Sequence, residues 1–138
     1  MKKAAVTALA CVALAGCVQS AANLRDNESA GRATFTTDRP IGDAYAIIQS
    51  NSIHCWADAA NFIIAGAPPS PSRPPSIQIN SILGHLMSVV DFSVAGTGTK
   101  VDVMVGYTLA NKSRTASWQH ALQSWLTGTD NAYCPKMP

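Results

Sequence analysis

The segment from residue 90 to residue 109 constrains the fold most strongly, because it alternates apolar and polar side chains around a glycine turn. The turn sequence is Gly96-Thr97-Gly98-Thr99. The apolar positions on the two arms are Val90, Phe92 and Val94, then Val101, Val103, Val105, Tyr107 and Leu109. Period-two alternation on both arms predicts a β-hairpin with one apolar and one polar face. An antiparallel sheet covered on a single side has this pattern.

Two amphipathic helices are predicted to cover that apolar face. The first runs from about Pro40 to Ser52 or a little beyond, and Asp38 is positioned to cap it. Its apolar face carries, at helical spacing, Ile41, Ala44, Tyr45, Ile48, Ser52 and Cys55. The second covers about Thr115–Leu126, with Gly128 as the expected C-cap. Its apolar positions are Trp118, Ala121, Leu122, Trp125 and Leu126.

Three shorter segments complete the predicted elements. Residues 33–37 form a weak edge strand, and strands are also expected at residues 61–65 and 76–83. Residues 67–75 hold five of the eight prolines and therefore form a loop. This order of elements predicts an α+β two-layer sandwich, in which an antiparallel sheet of about four strands carries both helices on one face.

The amino terminus has the pattern of a signal peptide. A basic start is followed by a short apolar run over residues 4–14, which is too short for a stable membrane span of about 20 residues. The run closes in Leu14-Ala15-Gly16-Cys17, which resembles the lipobox of bacterial lipoproteins. The alternative is an ordinary secretory signal that ends near a cysteine.

The lipobox resemblance implies how the chain is processed. Residues 1–16 are removed, and Cys17 becomes the first residue and carries a diacylglyceryl group, its amino terminus acylated with a fatty acid such as palmitate. Val18 and Gln19 follow instead of aspartate, which implies the outer membrane, on its periplasmic side. Residues 17–32 are then a lipidated start and a polar tether, and residues 33–138 are a single domain.

Processing also changes the charge balance. The full chain of 138 residues has ten Lys+Arg and eight Asp+Glu. Lys2 and Lys3 leave with the leader, so the mature chain has eight of each. A neutral chain without a basic run is not a nucleic-acid binder and has no electrostatic membrane patch. The expected partners are the membrane, through the lipid, and an envelope protein.

The remaining cysteines are predicted to pair. Cys11 leaves with the leader and Cys17 takes the lipid, so Cys55 and Cys134 remain in an oxidising compartment. A disulfide closing a loop of about 80 residues contributes on the order of 4 kcal/mol. Two free thiols or a thiol-based site are the alternatives. An early helix ending at a cysteine, with a Trp-bearing helix before a second cysteine, resembles small proteobacterial outer-membrane lipoproteins.

Histidines and tryptophans are the first candidates for a binding site. His54, His85 and His120 have spacings that match no compact metal motif, and a site built in space from His54 and His120 is the alternative. Trp118 and Trp125 could form an aromatic platform, but their seven-residue spacing favours the core. No metal or other cofactor is expected.

Two carboxylates on the hairpin are the remaining candidates. If Ala95 pairs with Lys100, Ser93 is expected to face Asp102, and Asp91 is expected to lie diagonally across from Asp102. Paired carboxylates can perform acid–base catalysis. A solvated sheet face explains them better, because charged and hydroxyl side chains are what such a face requires.

Without a catalytic constellation, the sequence favours a non-enzymatic lipoprotein of the outer membrane. Its role would be structural or partner-binding, with an exposed sheet edge or the polar sheet face as the contact surface. An inhibitor of a cell-wall-active enzyme such as lysozyme is one alternative. An enzyme or small-ligand binder with an unrecognised pocket is another.

Overall fold

The computed structural model describes residues 20–58, 62–106, 112–128 and 134. Within them, a five-stranded antiparallel sheet has the order β1-β5-β4-β3-β2 and is joined by three α-helices. In chain order the elements are α1 Ala21–Asp26, β1 Gly31–Thr37, α2 Ile41–Ser52, a π-helical turn Ile53–Asp58, β2 Phe62–Ala67, β3 Ser76–Ser81, β4 Leu86–Ala95, β5 Gly98–Val105 and α3 Lys112–Thr127. The predicted α+β fold is confirmed: the sheet has five strands instead of about four, each overlapping a predicted strand segment, and α1 is an additional helix.

The main core lies between the sheet and the helices α2 and α3. Large side chains from the sheet and from both helices are buried there, among them Ile48 of α2, Leu122 of α3 and the sheet residues Phe35, Ile77, Ile79, Val90, Phe92, Val101 and Val103. Every apolar position predicted for the second helix is buried in α3. The apolar residues that repeat every two positions in the strands and every 3.6 positions in the helices therefore meet in one buried layer, as the sequence pattern requires.

The span of α2 agrees with the prediction, but its cap and the conformation that follows it do not. Its N-cap is Pro40, which makes no side-chain cap hydrogen bond, so the predicted cap by Asp38 is wrong. After Ser52 the helix widens into the π-helical turn. This turn buries both Cys55 and Trp56 although they are adjacent in sequence. A π turn inserts an extra residue per turn and shifts which side chains face the core.

A disulfide joins the π-helical turn to the segment that follows α3. The Sγ atoms of Cys55 and Cys134 are 2.04 Å apart, which confirms the predicted pairing. The carboxyl end of α3 is held further by Arg39, whose Nε donates to the carbonyl of Leu126 at 2.6 Å. Gly128 follows with a φ of 70°, as expected of a C-cap glycine.

The hairpin of β4 and β5 is confirmed, but its register is not the predicted one. Ala95 pairs with Gly98, and Gly96 and Thr97 alone form the turn. Gly98 belongs to β5 because it packs against β1: a Cβ at this position would lie 2.1 Å from the carbonyl oxygen of Thr37. Gly98 is therefore needed for the close approach of the β5 backbone to the β1 backbone, and it is not part of the turn.

The residues before the first predicted strand are folded. Ser20 caps α1 by accepting from the backbone N–H of Asn23 at 3.1 Å, Leu24 is fully buried, and β1 begins at Gly31 instead of residue 33. The tether predicted for residues 17–32 is thus not extended from residue 20 onward. Its helix α1 covers part of the sheet face that the hairpin pattern predicted to be open to solvent.

The remaining predicted strands are present, but the one predicted at residues 76–83 ends at Ser81. The strand predicted at 61–65 is β2, and the loop that follows it contains a tight turn, in which Ser70 and Arg73 exchange backbone hydrogen bonds of 3.2 and 3.3 Å. The predicted strand residues Asn61, Tyr107 and Leu109 lie outside the described residues.

Candidate functional site

The second face of the sheet, which points away from α2 and α3, carries the arrangement that the sequence did not predict. Here α1 packs on a small apolar cluster, the second cluster, whose buried members are Leu24, Ala30, Leu86, Val89 and Met104, with Ala21 packed against them. A helix of six residues is not stable on its own. Its contacts with the sheet therefore hold it in place.

A guanidinium–carboxylate pair connects α1 to the centre of the sheet. Arg25 donates from Nε to Asp91 Oδ2 at 2.6 Å and from Nη2 to Asp91 Oδ1 at 2.7 Å. The same Nη2 donates to Ser76 Oγ at 3.2 Å. The hydrogen bond to Asp91, followed by the charge of this carboxylate, raises the pKa of Arg25 above its ordinary value. Two parallel hydrogen bonds of this kind fix orientation as well as distance.

A second arginine holds the carboxyl end of α1 from the sheet side. Arg32, on β1, donates from Nη2 to the carbonyl oxygens of Leu24 at 3.4 Å, of Asn27 at 3.2 Å and of Arg25. A cation at a helix carboxyl end satisfies free carbonyls and favours the helix dipole. Two arginines thus join the helix to the sheet: Arg25 of α1 and Arg32 of β1.

The observed register brings the two candidate carboxylates together. Asp91 pairs directly with Asp102, and Ser93 pairs with Lys100, so the predicted diagonal placement is wrong. Asp102 accepts from Thr34 Oγ1 at 2.6 Å and contacts Lys100 Nζ at 2.9 Å. Each carboxylate therefore has its own cation, which offsets the repulsion of like charges on adjacent strands. This arrangement supports the sheet and α1.

The three candidate histidines are exposed and lie on different elements. His54 is in the π-helical turn, His85 is in the turn between β3 and β4, and His120 is on α3. Across the described ranges, no three His, Cys, Asp or Glu side chains are grouped so that they could hold a metal ion.

The tryptophans belong to the main core. Trp118 and Trp125 are buried, which confirms the core interpretation, and both contact Trp56, with ring centroids 4.6 and 5.2 Å apart. The indole N–H of Trp56 is buried and has no hydrogen-bond partner among the residues that the structure describes. The role of Trp56 could not be predicted because it depends on the π-helical turn.

Two open clefts lie between β1 and α3. One, of about 440 Å³, lies beside residues 29–33 and is lined by Lys112 and Ala116 at the start of α3. The other, of about 400 Å³, lies beside residues 35–38 at the end of α3. Neither is lined by a histidine. Both border the edge strand β1, so they form one continuous margin of the sheet.

At the end of the sheet where β3 turns into β4, three large apolar side chains are exposed. These residues, Ile63, Ile82 and Leu83, are called the apolar tip. The predicted strand at residues 76–83 includes Ile82 and Leu83, but β3 ends at Ser81. The sequence signal for this end is the adjacent apolar pair, which breaks the alternation of the strand.

The predicted lipidation site, Cys17, lies outside the described residues. No helix in the described part of the chain has the length and apolar character needed to cross a membrane. Comparison with protein families, curated proteins and solved structures finds no match to this chain.

Proposed function

We propose that this chain is an outer-membrane lipoprotein, anchored through Cys17 and facing the periplasm, and that its domain is a non-enzymatic module that binds an envelope protein. The Cys55–Cys134 disulfide is the observation that carries the export part of the proposal. Disulfides persist in oxidising compartments such as the periplasm. The lipid is assigned to Cys17 because this residue ends the segment Leu14-Ala15-Gly16-Cys17, which resembles a lipobox.

Labelling with a fatty acid tests the anchor. Cells expressing the natural chain should incorporate labelled palmitate into it, and the protein should fractionate with the outer membrane. Cys17→Ser should lose the label. Cys11→Ser is the matched control, because it changes a cysteine that the leader removes, and it should keep the label. Labelled Cys17→Ser protein, or an unlabelled natural chain, would contradict the proposal.

For the partner, we propose that an extended segment of an envelope protein binds along β1. This strand is a sheet edge, and edge strands offer unpaired backbone groups to an added strand. The clefts on either side of its contact with α3 would accept side chains of that segment. The opposite edge, β2, lies next to the apolar tip, for which another partner is argued below.

Site-specific photo-crosslinking in cells tests this surface. A photoreactive residue replacing Ala116, which is exposed and lines the larger cleft, should capture a defined envelope protein. The same residue replacing Ser50, exposed on α2, is the control and should not capture it. Capture at neither position, or equally at both, would rule out β1 as the binding edge.

A further inference from the structure

The turn between β3 and β4 presents two apolar side chains to solvent from a well-ordered backbone. Ile82 is 65% exposed and Leu83 is 78% exposed. The turn is closed by the N–H of Gly84, which donates to the carbonyl of Ser81 at 2.9 Å, and by the N–H of Ser81, which donates to the carbonyl of His85 at 2.8 Å. These bonds hold the pair away from the core.

The exposed apolar surface continues onto the second face of the sheet. Ile63 pairs with Asn80, and Asn80 pairs with Leu86, so these three residues form one row across β2, β3 and β4. Adjacent strands are about 4.8 Å apart, which places Ile63 roughly 10 Å from Leu86. Ile63 is 52% exposed. The apolar tip therefore consists of Ile63 on the edge strand β2 and of Ile82 and Leu83 in the turn directly before Leu86.

The helix α1 lies against the same small cluster to which Leu86, the residue after the turn, belongs. Leu86 is a member of the second cluster, against which Ala21 packs. Cys17 lies four residues before Ala21. A chain of four residues spans at most about 14 Å, so a lipid on Cys17 would hold α1, and the sheet face that α1 covers, close to the bilayer surface.

Charge does not oppose contact of the tip with lipid. Residues 74–90, which include β3, the turn and half of β4, contain no Lys, Arg, Asp or Glu. Inserting this segment into the interfacial region therefore desolvates no Lys, Arg, Asp or Glu side chain, and apolar residues are favourable there. Its partner is expected to be apolar and nearby, and the bilayer that holds the anchor fits both conditions.

We propose that the apolar tip is a second membrane contact: Ile63, Ile82 and Leu83 enter the interfacial layer of the bilayer in which Cys17 is anchored. This inference rests on the proposed lipid anchor. The tip and the anchor together fix the orientation of the domain, with the β4–β5 turn pointing away from the membrane. Val94, near that turn, lies eight residues along β4 from Leu86, at a distance of roughly 27 Å.

Depth-dependent fluorescence quenching tests this orientation. The lipidated chain carrying Leu83→Cys is labelled with a fluorophore and placed in phosphatidylcholine vesicles that contain spin-labelled lipid. Val94→Cys is the matched control, because Val94 is also apolar and 71% exposed. Since the interfacial layer is about 5–10 Å deep, the label at position 83 should be quenched at least about threefold more than the label at position 94.

The outcomes separate this inference from the anchor. If the lipidated chain stays on the vesicles and the two labels are quenched equally, or neither is quenched, the membrane contact of the tip is wrong while the anchor stands. If the chain, shown to be folded by its intact disulfide, does not stay on the vesicles, the proposed anchor fails as well. Stronger quenching at position 94 would indicate the opposite orientation and would also overturn the inference.

Discussion

The two faces of the sheet are covered by different means. The main core combines two long helices, a tryptophan cluster and a disulfide that ties the end of one helix to the segment after the other. The second face has one six-residue helix, a small apolar cluster and two arginines that join the helix to the sheet. On the first face, the burial of large apolar side chains and the disulfide hold the helices to the sheet. On the second face, little apolar area is available, so charge-assisted hydrogen bonds complete the attachment.

Two fully buried leucines allow the two faces to be compared directly. Leu122, on α3, lies in the main core, and we expect Leu122→Ala to lower the free energy of unfolding by about 3–5 kcal/mol. The side chain is surrounded by rigid elements, which cannot close the cavity. Urea unfolding followed by tryptophan fluorescence measures this change. A loss below about 1 kcal/mol would mean that the main core relaxes readily.

Leu24, on α1, is the matched residue of the second face and is equally buried. We expect Leu24→Ala to cost about 2 kcal/mol, at the low end for a buried leucine, because α1 can leave the sheet while the rest stays folded. Hydrogen exchange should show faster exchange in α1 and unchanged exchange in α3. A loss as large as that of Leu122→Ala, with exchange raised everywhere, would show that α1 unfolds only with the whole domain.

The sequence predicted the first face well and the second face poorly, for a physical reason. Trp118, Leu122 and Trp125 repeat at helical spacing, so the face that they bury is visible in the sequence. Leu24 is a single large apolar residue in a short helix and produces no period. The available signal lay in the sheet, where Val89 and Met104 interrupt the polar side of the hairpin pattern.

The register of the hairpin was not predictable from its own residues. Gly96 and Gly98 both fit a turn, and only the close approach of Thr37 shows that Gly98 belongs to β5. That approach comes from β1, which lies about 60 residues earlier in the chain, so it is a tertiary effect. The shift places Asp91 opposite Asp102 and so determines the polar arrangement on the second face.

The Arg25–Asp91 pair provides a smaller test of the second face. Both side chains are partly exposed, so we expect a coupling free energy of at most about 1 kcal/mol in a double-mutant cycle, and we expect it to fall in high salt. Arg25→Ala should cost more than Asp91→Ala, because removing Asp91 also relieves its repulsion of Asp102. Urea unfolding in low and high salt measures both effects. Equal losses, independent of salt, would show that this pair does not attach α1.

The smallest expected effect is a difference between the two faces in how the free energy of unfolding depends on pH. Burial raises the pKa of Tyr45, in the main core, above its ordinary value of 10.0. Above about pH 10 the unfolded chain therefore binds fewer protons at this residue than the folded chain, and stability falls as pH rises. Tyr45→Phe keeps the edge-to-face contact with Phe92 and should remove this part of the alkaline loss. The hydrogen bond to Asp91 raises the pKa of Arg25, so this residue of the second face keeps its charge over the same range, and its attachment should respond to salt instead. An unchanged alkaline slope in Tyr45→Phe, measured by urea unfolding between pH 8 and about pH 11, would assign that loss to other groups.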